Sequence, residues 1–255
     1  MTEVILHIPH SSAVIPEPER ARLAISDDDL KHELLRMTDW YTYELFGLGE
    51  TATLVVFPVS RLVCDPERFR DDADEPMAAR EMGAVYTKTS DGRPLRPCLH
   101  SEERQRLLDA YYVPHHKKLK QLVREALETS GHALIIDGHS FPSSPLPCDP
   151  DQTQGRPDIC LGTDPFHTPE WLADAAERAF REMGWRVERN RPYDGTMVPR
   201  SFLHKDARVH SIMVEINRAL YLDEDTGQRL PQFGEIACKV QRTVKACILA
   251  CGNMR

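Results

Sequence analysis

The stretch from Ala133 to Pro142, ALIIDGHSFP, constrains this chain more than any other. Four apolar residues in succession read as a strand buried on both faces, which belongs inside a sheet covered by helices. Asp137, Gly138, His139 and Ser140 then arrive together where such a strand should end. In open α/β sheets the carboxyl ends of strands are where ligands bind. An acid, a flexible glycine and an imidazole in that place point to a metal or acid/base site. The competing reading is a polar turn whose Asp137 and Ser140 satisfy backbone donors.

A second strand end repeats the pattern. Val4 to Pro9, VILHIP, is short and apolar and releases His10, Ser11 and Ser12. His7 and His10 point to opposite faces if the strand continues, so His7 reads as a packed core imidazole while His10, beyond Pro9, is free to turn. Two histidines at the ends of two distant strands are a long-range pair of the kind zinc hydrolases use. Ser211 to Asn217, SIMVEIN, is a third strand, with Glu215 near its carboxyl end. Taken alone, Glu215 reads as a solvent-facing strand residue; beside His10 and His139 it becomes the natural general base of a metal hydrolase.

The remaining elements alternate. Ser26 to Phe46 reads as a helix with Ser26 as N-cap, Asp27, Asp28 and Asp29 suiting its dipole, and Leu30, Leu34, Met37, Tyr41 and Leu45 on one face. Asp39 lies near the edge of that face, as a solvated helix charge or a third metal ligand. Ala52 to Pro58 is a strand whose exit, SRLVCDPERF, delivers Arg61, Asp65, Glu67 and Arg68. The two arginines either pair with these acids or clamp an anionic substrate bidentately. The polar stretch 71–97 reads as a lid or a flexible excursion, with a short strand at Val85, Tyr86 and Thr87. Glu102 to Glu128 is a long helix, divided at Pro114, with His115 and His116 as surface or supporting residues. Asp158 to Thr163 and Trp185 to Asn190 read as strands, Pro169 to Met183 and Phe233 to Ala250 as helices. These alternations predict a three-layer α/β/α fold with a central, largely parallel or mixed sheet, in a single domain spanning residues 1–255.

Composition narrows the partners. With 255 residues, 41% of them hydrophobic, the chain has the size and core of an ordinary soluble globule. A net charge of −8 argues against nucleic acid, which needs a basic face. No apolar run approaches membrane-spanning length, and no basic-then-apolar leader opens the chain. Seven scattered cysteines with no CxxC pair read as reduced thiols of a cytoplasmic protein, with Cys247 and Cys251 as filler one helical turn apart.

HIPHSS at 7–12, Thr38-Asp39 before Trp40 and Tyr41, SRLVCDPERF at 60–69, DGHSFP at 137–142 and VEINRALY at 214–221 together resemble the N-formylglutamate amidohydrolase family, in the family's order and over nearly the whole chain. The resemblance implies a phosphorylase/hydrolase-like α/β/α fold similar to zinc carboxypeptidases. It also implies a metal-dependent amidohydrolase that splits N-formyl-L-glutamate, a small anionic N-acyl amino acid, into formate and glutamate. One Zn²⁺ per chain is expected, other divalent ions being possible. Carboxypeptidases place a glutamate three residues after the first histidine, where this chain has Ala13, so another ligand must replace it. The expected ligand set is His10, Asp39 and His139, with Asp137 either the substitute for Asp39 or an orienting partner of an imidazole. Glu215 is the expected general base. Arg61 or Arg68 would hold a substrate carboxylate, and Arg218 a second carboxylate or the oxyanion. Two rival readings are a metal-free Ser140–His139 hydrolase, which lacks a GxSxG elbow, and a non-catalytic protein of this fold that binds a metal or acidic metabolite.

Overall fold

The computed structural model of the chain describes residues 3–252. Its strands are β1 (Glu3–Ile8), β2 (Thr53–Val56), β3 (Ala133–Phe141), β4 (Ile159–Gly162), β5 (Val187–Arg189) and β6 (Val209–Asn217). They form one sheet in the order β2-β1-β3-β6-β4-β5. The first four of that order run parallel; β4 is antiparallel to β6, and β5 is parallel to β4. The sheet is therefore mixed, and β1, β3 and β6 deliver their carboxyl ends to one edge.

The helices are α1 (Glu17–Arg20), α2 (Asp27–Met37), α3 (Thr42–Leu45), α4 (Ser101–Leu107), α5 (Val113–Ser130), α6 (Glu170–Glu182) and α7 (Phe233–Gly252). Strand alternation decides which helices cover which face. Val4, Leu6, Ile8, Leu134 and Ile136 pack with Leu45, with Phe180 of α6 and with Val240 and Val244 of α7. Ile5, Ala133 and Ile135 turn the other way, onto Leu119, Val123 and Ala126 of α5. Each such buried aliphatic side chain contributes roughly 1.5–3 kcal/mol. Toward the carboxyl edge, the positions facing α5 change from apolar to ionisable: His7, Asp137 and His139, with Glu215 in register beside His139.

Several elements differ from the sequence expectations. β3 runs unbroken to Phe141, so Asp137–Ser140 is strand and not a turn. Gly138 is consequently a packing residue rather than a flexible one: a Cβ there would meet Ile8 Cδ1 at 2.7 Å and the Phe46 ring at 3.1 Å. The helix expected over 26–46 stops at Met37; Thr38 is extended, and a left-handed Tyr41 precedes the separate α3. The break has a visible cause, since the Asp39 N–H leaves the helix to donate to the His10 carbonyl. No strand forms at 85–87. The 71–97 stretch is no loose lid, because Met77, Met82, Tyr86 and Leu95 pack with Leu62, with Leu30 and Met37 of α2 and with Cys148 in one buried cluster. The long helix after residue 101 divides at a π-turn (Leu108–Tyr112), which lets Pro114 sit in the first turn of α5. The six described cysteines are free thiols, and the side chain of Cys251 lies outside the described residues. No helix of the described residues is long and apolar enough to cross a membrane.

Candidate metal centre

His10 leaves β1 at its carboxyl end, His139 stands on β3, and Asp39 reaches in from the break after α2. Their ligand atoms lie within 4.8 Å of one another, and all three side chains are buried. His139 Nδ1 is 3.1 Å and His10 Nδ1 3.6 Å from Asp39 Oδ2. Donors sharing an ion at 2.0–2.2 Å stand about 2.8–3.6 Å apart for angles of about 90–110°, so the separations fit one metal. His10 Nδ1 has no hydrogen-bond partner among the described residues, an orphaned buried lone pair of the kind a cation would take up.

The outer nitrogens of both imidazoles explain why Nδ1 faces inward. His10 Nε2–H donates to Asp65 Oδ1 at 2.8 Å, and His139 Nε2–H donates to Asp137 Oδ1 at 3.1 Å. A carboxylate behind each ring fixes its tautomer and raises its basicity as a ligand. Asp65 is itself held by Arg61 Nη2 at 2.8 Å and by the Tyr86 hydroxyl. Asp137 accepts the Met197 N–H through its other oxygen. Asp39 is locked by Arg218, whose Nη2 donates to Asp39 Oδ1 at 2.8 Å and whose Nε donates to the Ser140 hydroxyl.

The electrostatics follow from this crowding. Burial alone would push the Asp39 carboxyl up, yet His10, His139 and Arg218 together hold it well below the usual carboxylate range. Asp65 is held low in the same way by Arg61 and His10, against its own burial. For His139, the charges of Asp137 and Asp39 outweigh burial and raise the imidazole well above its ordinary value. The site thus demands positive charge at the point where the ligand atoms meet. Glu215 is different: burial pushes it up to about 8, because His139 and the arginines offset desolvation only in part. Its Oε2 is buried without a partner among the described residues, and it lines the same cavity as His10, Asp39 and His139.

That cavity has a volume of about 920 Å³. Arg61 and Arg68 both line it, but their states differ. Arg61 is spent on Asp65 and Tyr86. The Arg68 guanidinium makes no hydrogen bond among the described residues, its nearest carboxylates being Asp65 at 3.7 Å and Glu75 at 4.0 Å, and its Nε is buried and unpartnered. Of the local pairs weighed, Arg61 with Asp65 forms, whereas Glu67 pairs with neither arginine among the described residues.

His10, Asp39, His139, Glu215, Arg61, Arg68 and Arg218 therefore converge on one cavity. Arg218, expected to meet substrate, is instead committed to Asp39 and Ser140. Ser140 accepts from Arg218 rather than facing His139, which removes the metal-free Ser140–His139 pairing. Sequence reading missed Asp65 as the partner of His10, because nothing local links positions so far apart. Of the two readings of His115, surface or supporting, the structure favours the second: His115 is buried and its Nε2 lies 2.8 Å from His7 Nε2. The proline at the start of a helix was the available signal, since it brings the first turn of α5 against the strand ends.

Comparison with known proteins now gives the class. The N-formylglutamate amidohydrolase family profile matches residues 2–222, and the chain belongs to that family. An N-formylglutamate deformylase of Pseudomonas aeruginosa is 28% identical over 196 residues, covering 73% of this chain and 71% of that protein. The crystal structure of an N-formylglutamate amidohydrolase from Ralstonia eutropha superposes with a TM-score of 0.79 at 23% identity, covering 98% of this chain and 93% of that one. A gene product of Agrobacterium tumefaciens gives a TM-score of 0.69 at 22% identity, covering 99% and 92%. These two structures share the fold.

Proposed function

We propose that this chain is a metal-dependent amidohydrolase that converts N-formyl-L-glutamate and water into formate and L-glutamate, with Zn²⁺ as its ion. The observation that carries the reading is the convergence of His10, Asp39 and His139 beside Glu215, in a chain of the N-formylglutamate amidohydrolase family. His10 Nδ1, Asp39 and His139 Nδ1 hold the ion. When bound, a divalent cation supplies Lewis acidity, polarising the amide carbonyl and making water acidic enough to attack near neutral pH. The zinc-carboxypeptidase-like placement of ligands on strand ends belongs to the same reading.

The chain's own residues do the rest. Glu215 Oε2, unpartnered and raised toward neutrality by burial, takes the proton of the attacking water and returns it to the leaving nitrogen as the C–N bond breaks. Arg68, with its donors uncommitted, grips a carboxylate of the substrate, and Arg61 flanks it. Arg218 keeps Asp39 ionised and aimed, so it is a positioning residue. The cavity is larger than N-formylglutamate requires, which favours testing N-acetyl and N-succinyl amino acids beside it; a missing methylene in an apolar pocket is worth only about 1–3 kcal/mol.

The test is amine release from N-formyl-L-glutamate by protein stripped with a chelator, then restored with Zn²⁺, alongside His139→Ala. Activity that returns with the metal and is absent from the variant supports the reading. Full activity in His139→Ala, or in the stripped protein, would sink it.

A further inference from the structure

We propose that the chain holds a second divalent cation between His7, Glu67 and Asp137, behind the imidazole of His139. This site uses none of the ligands assigned above, so it goes beyond the deformylase reading and does not rest on it.

The three side chains come from β1, the exit of β2 and β3. Their ligand atoms lie within 4.8 Å of one another. His7 Nδ1 is 2.9 Å from Asp137 Oδ1 and 3.2 Å from Glu67 Oε1. Neighbouring donors around an ion bound at 2.0–2.2 Å stand about 2.8–3.6 Å apart, so both separations are compatible with a shared ion.

Hydrogen bonding alone leaves the cluster unsatisfied. His7 Nδ1 carries at most one proton, yet two carboxylate oxygens approach it. Asp137 Oδ1 also receives the His139 N–H, while Glu67 Oε1 is buried with no hydrogen-bond partner. A buried carboxylate is costly unless a positive charge meets it. The nearby guanidiniums do not: Arg61 is committed to Asp65, and the closest acids to Arg68 are Asp65 and Glu75. A cation at the common point would meet both carboxylates at once.

His115 supplies the remaining part of the arrangement. Its Nε2 stands 2.8 Å from His7 Nε2, so one of the two nitrogens donates. With His7 protonated at Nε2, its Nδ1 lone pair points between Asp137 and Glu67, the orientation of a ligating imidazole whose outer N–H is engaged. His7 and Asp137 are fully buried, but Glu67 lines the large cavity. An ion therefore enters from the cavity, and water completes its coordination there. One imidazole and two carboxylates suit Zn²⁺ or Mn²⁺ better than a soft ion.

The experiment counts metal rather than turnover. Full-length protein is stripped with a chelator, dialysed against Zn²⁺ or, separately, Mn²⁺, and analysed for bound metal, with circular dichroism to show that each variant is folded. The wild type should bind two equivalents, Glu67→Gln one and His10→Asn one, while Glu67→Asp, which keeps a carboxylate, recovers part of the second. A wild type that binds one equivalent and keeps it in Glu67→Gln overturns the proposal, as do two equivalents retained in that variant. A single equivalent lost in Glu67→Gln but kept in His10→Asn leaves this site standing and removes the metal set of the proposed function. No bound metal at all overturns both.

Discussion

His10 and Asp65, 55 positions apart, are joined by a 2.8 Å hydrogen bond from imidazole Nε2 to carboxylate. Because Arg61 and Tyr86 hold the other side of Asp65, the ring is aimed by a rigid chain of contacts. Asp65→Asn should lower Zn²⁺ affinity by about 10–100-fold. Competition against a coloured chelator measures this directly, and an unchanged affinity would remove the orienting role.

Glu215 stands in register with His139 on the adjacent parallel strand. Glu215→Gln should cut kcat by about 10²–10⁴-fold while leaving metal content and KM near wild type. Loss of metal in the variant would mean that Glu215 is a ligand instead.

The Arg68 guanidinium, in the cavity wall, makes no hydrogen bond among the described residues. Arg68→Ala should raise KM for N-formyl-L-glutamate by about 10–100-fold, the loss of a charge-assisted pair worth about 1.5–3 kcal/mol. Arg61→Ala should instead disturb Asp65 and metal retention. Equal KM effects for a substrate analogue lacking the carboxylate would contradict the assignment.

Burial lowers His115 to about 2 and His116 to about 4. The folded protein thus keeps both imidazoles neutral while the unfolded chain takes up protons below its ordinary value of about 6.5. The stability they confer is complete above that pH and is lost as pH falls from 6.5 through 4, for His116 on the order of 2 kcal/mol after solvent screening. Urea midpoints of chelator-treated protein at pH 7.5 and 5 should show the fall, and His116→Gln should flatten it.

Gly138→Ala would press a methyl group onto Ile8 and Phe46. A loss of about 1–3 kcal/mol is expected from overpacking, read as a lower Tm with an unchanged fold by circular dichroism.

Much of this arrangement is legible in the chain itself. Ala133–Ile136 and Val4–Leu6 announce buried strands because their apolar runs have no other stable setting. His10, His139 and Glu215 can be placed at one edge because parallel strands share their carboxyl ends. The helix around Asp39 was overrun because Tyr41 and Leu45 continue its period, although they are buried by a second short helix after the break. β1 ends at Ile8, so alternation does not govern His10, while His7 inside the strand joins a polar cluster rather than the apolar core. Asp65, Glu67 and His115 gain their partners only through tertiary contact, and no local period records that.

The 60–100 excursion carries Arg61, Glu67 and Arg68, and its buried side chains, Leu62, Met82, Tyr86 and Leu95 among them, pack with Leu30 and Met37 of α2 in a cluster apart from those beneath α5 and α7. The same excursion carries Asp65, which holds the His10 imidazole, so part of the cavity wall and the support of a candidate ligand rest on one set of buried side chains. Remodelling that lobe to admit a different acyl group would therefore also shift what steadies His10 at the sheet edge.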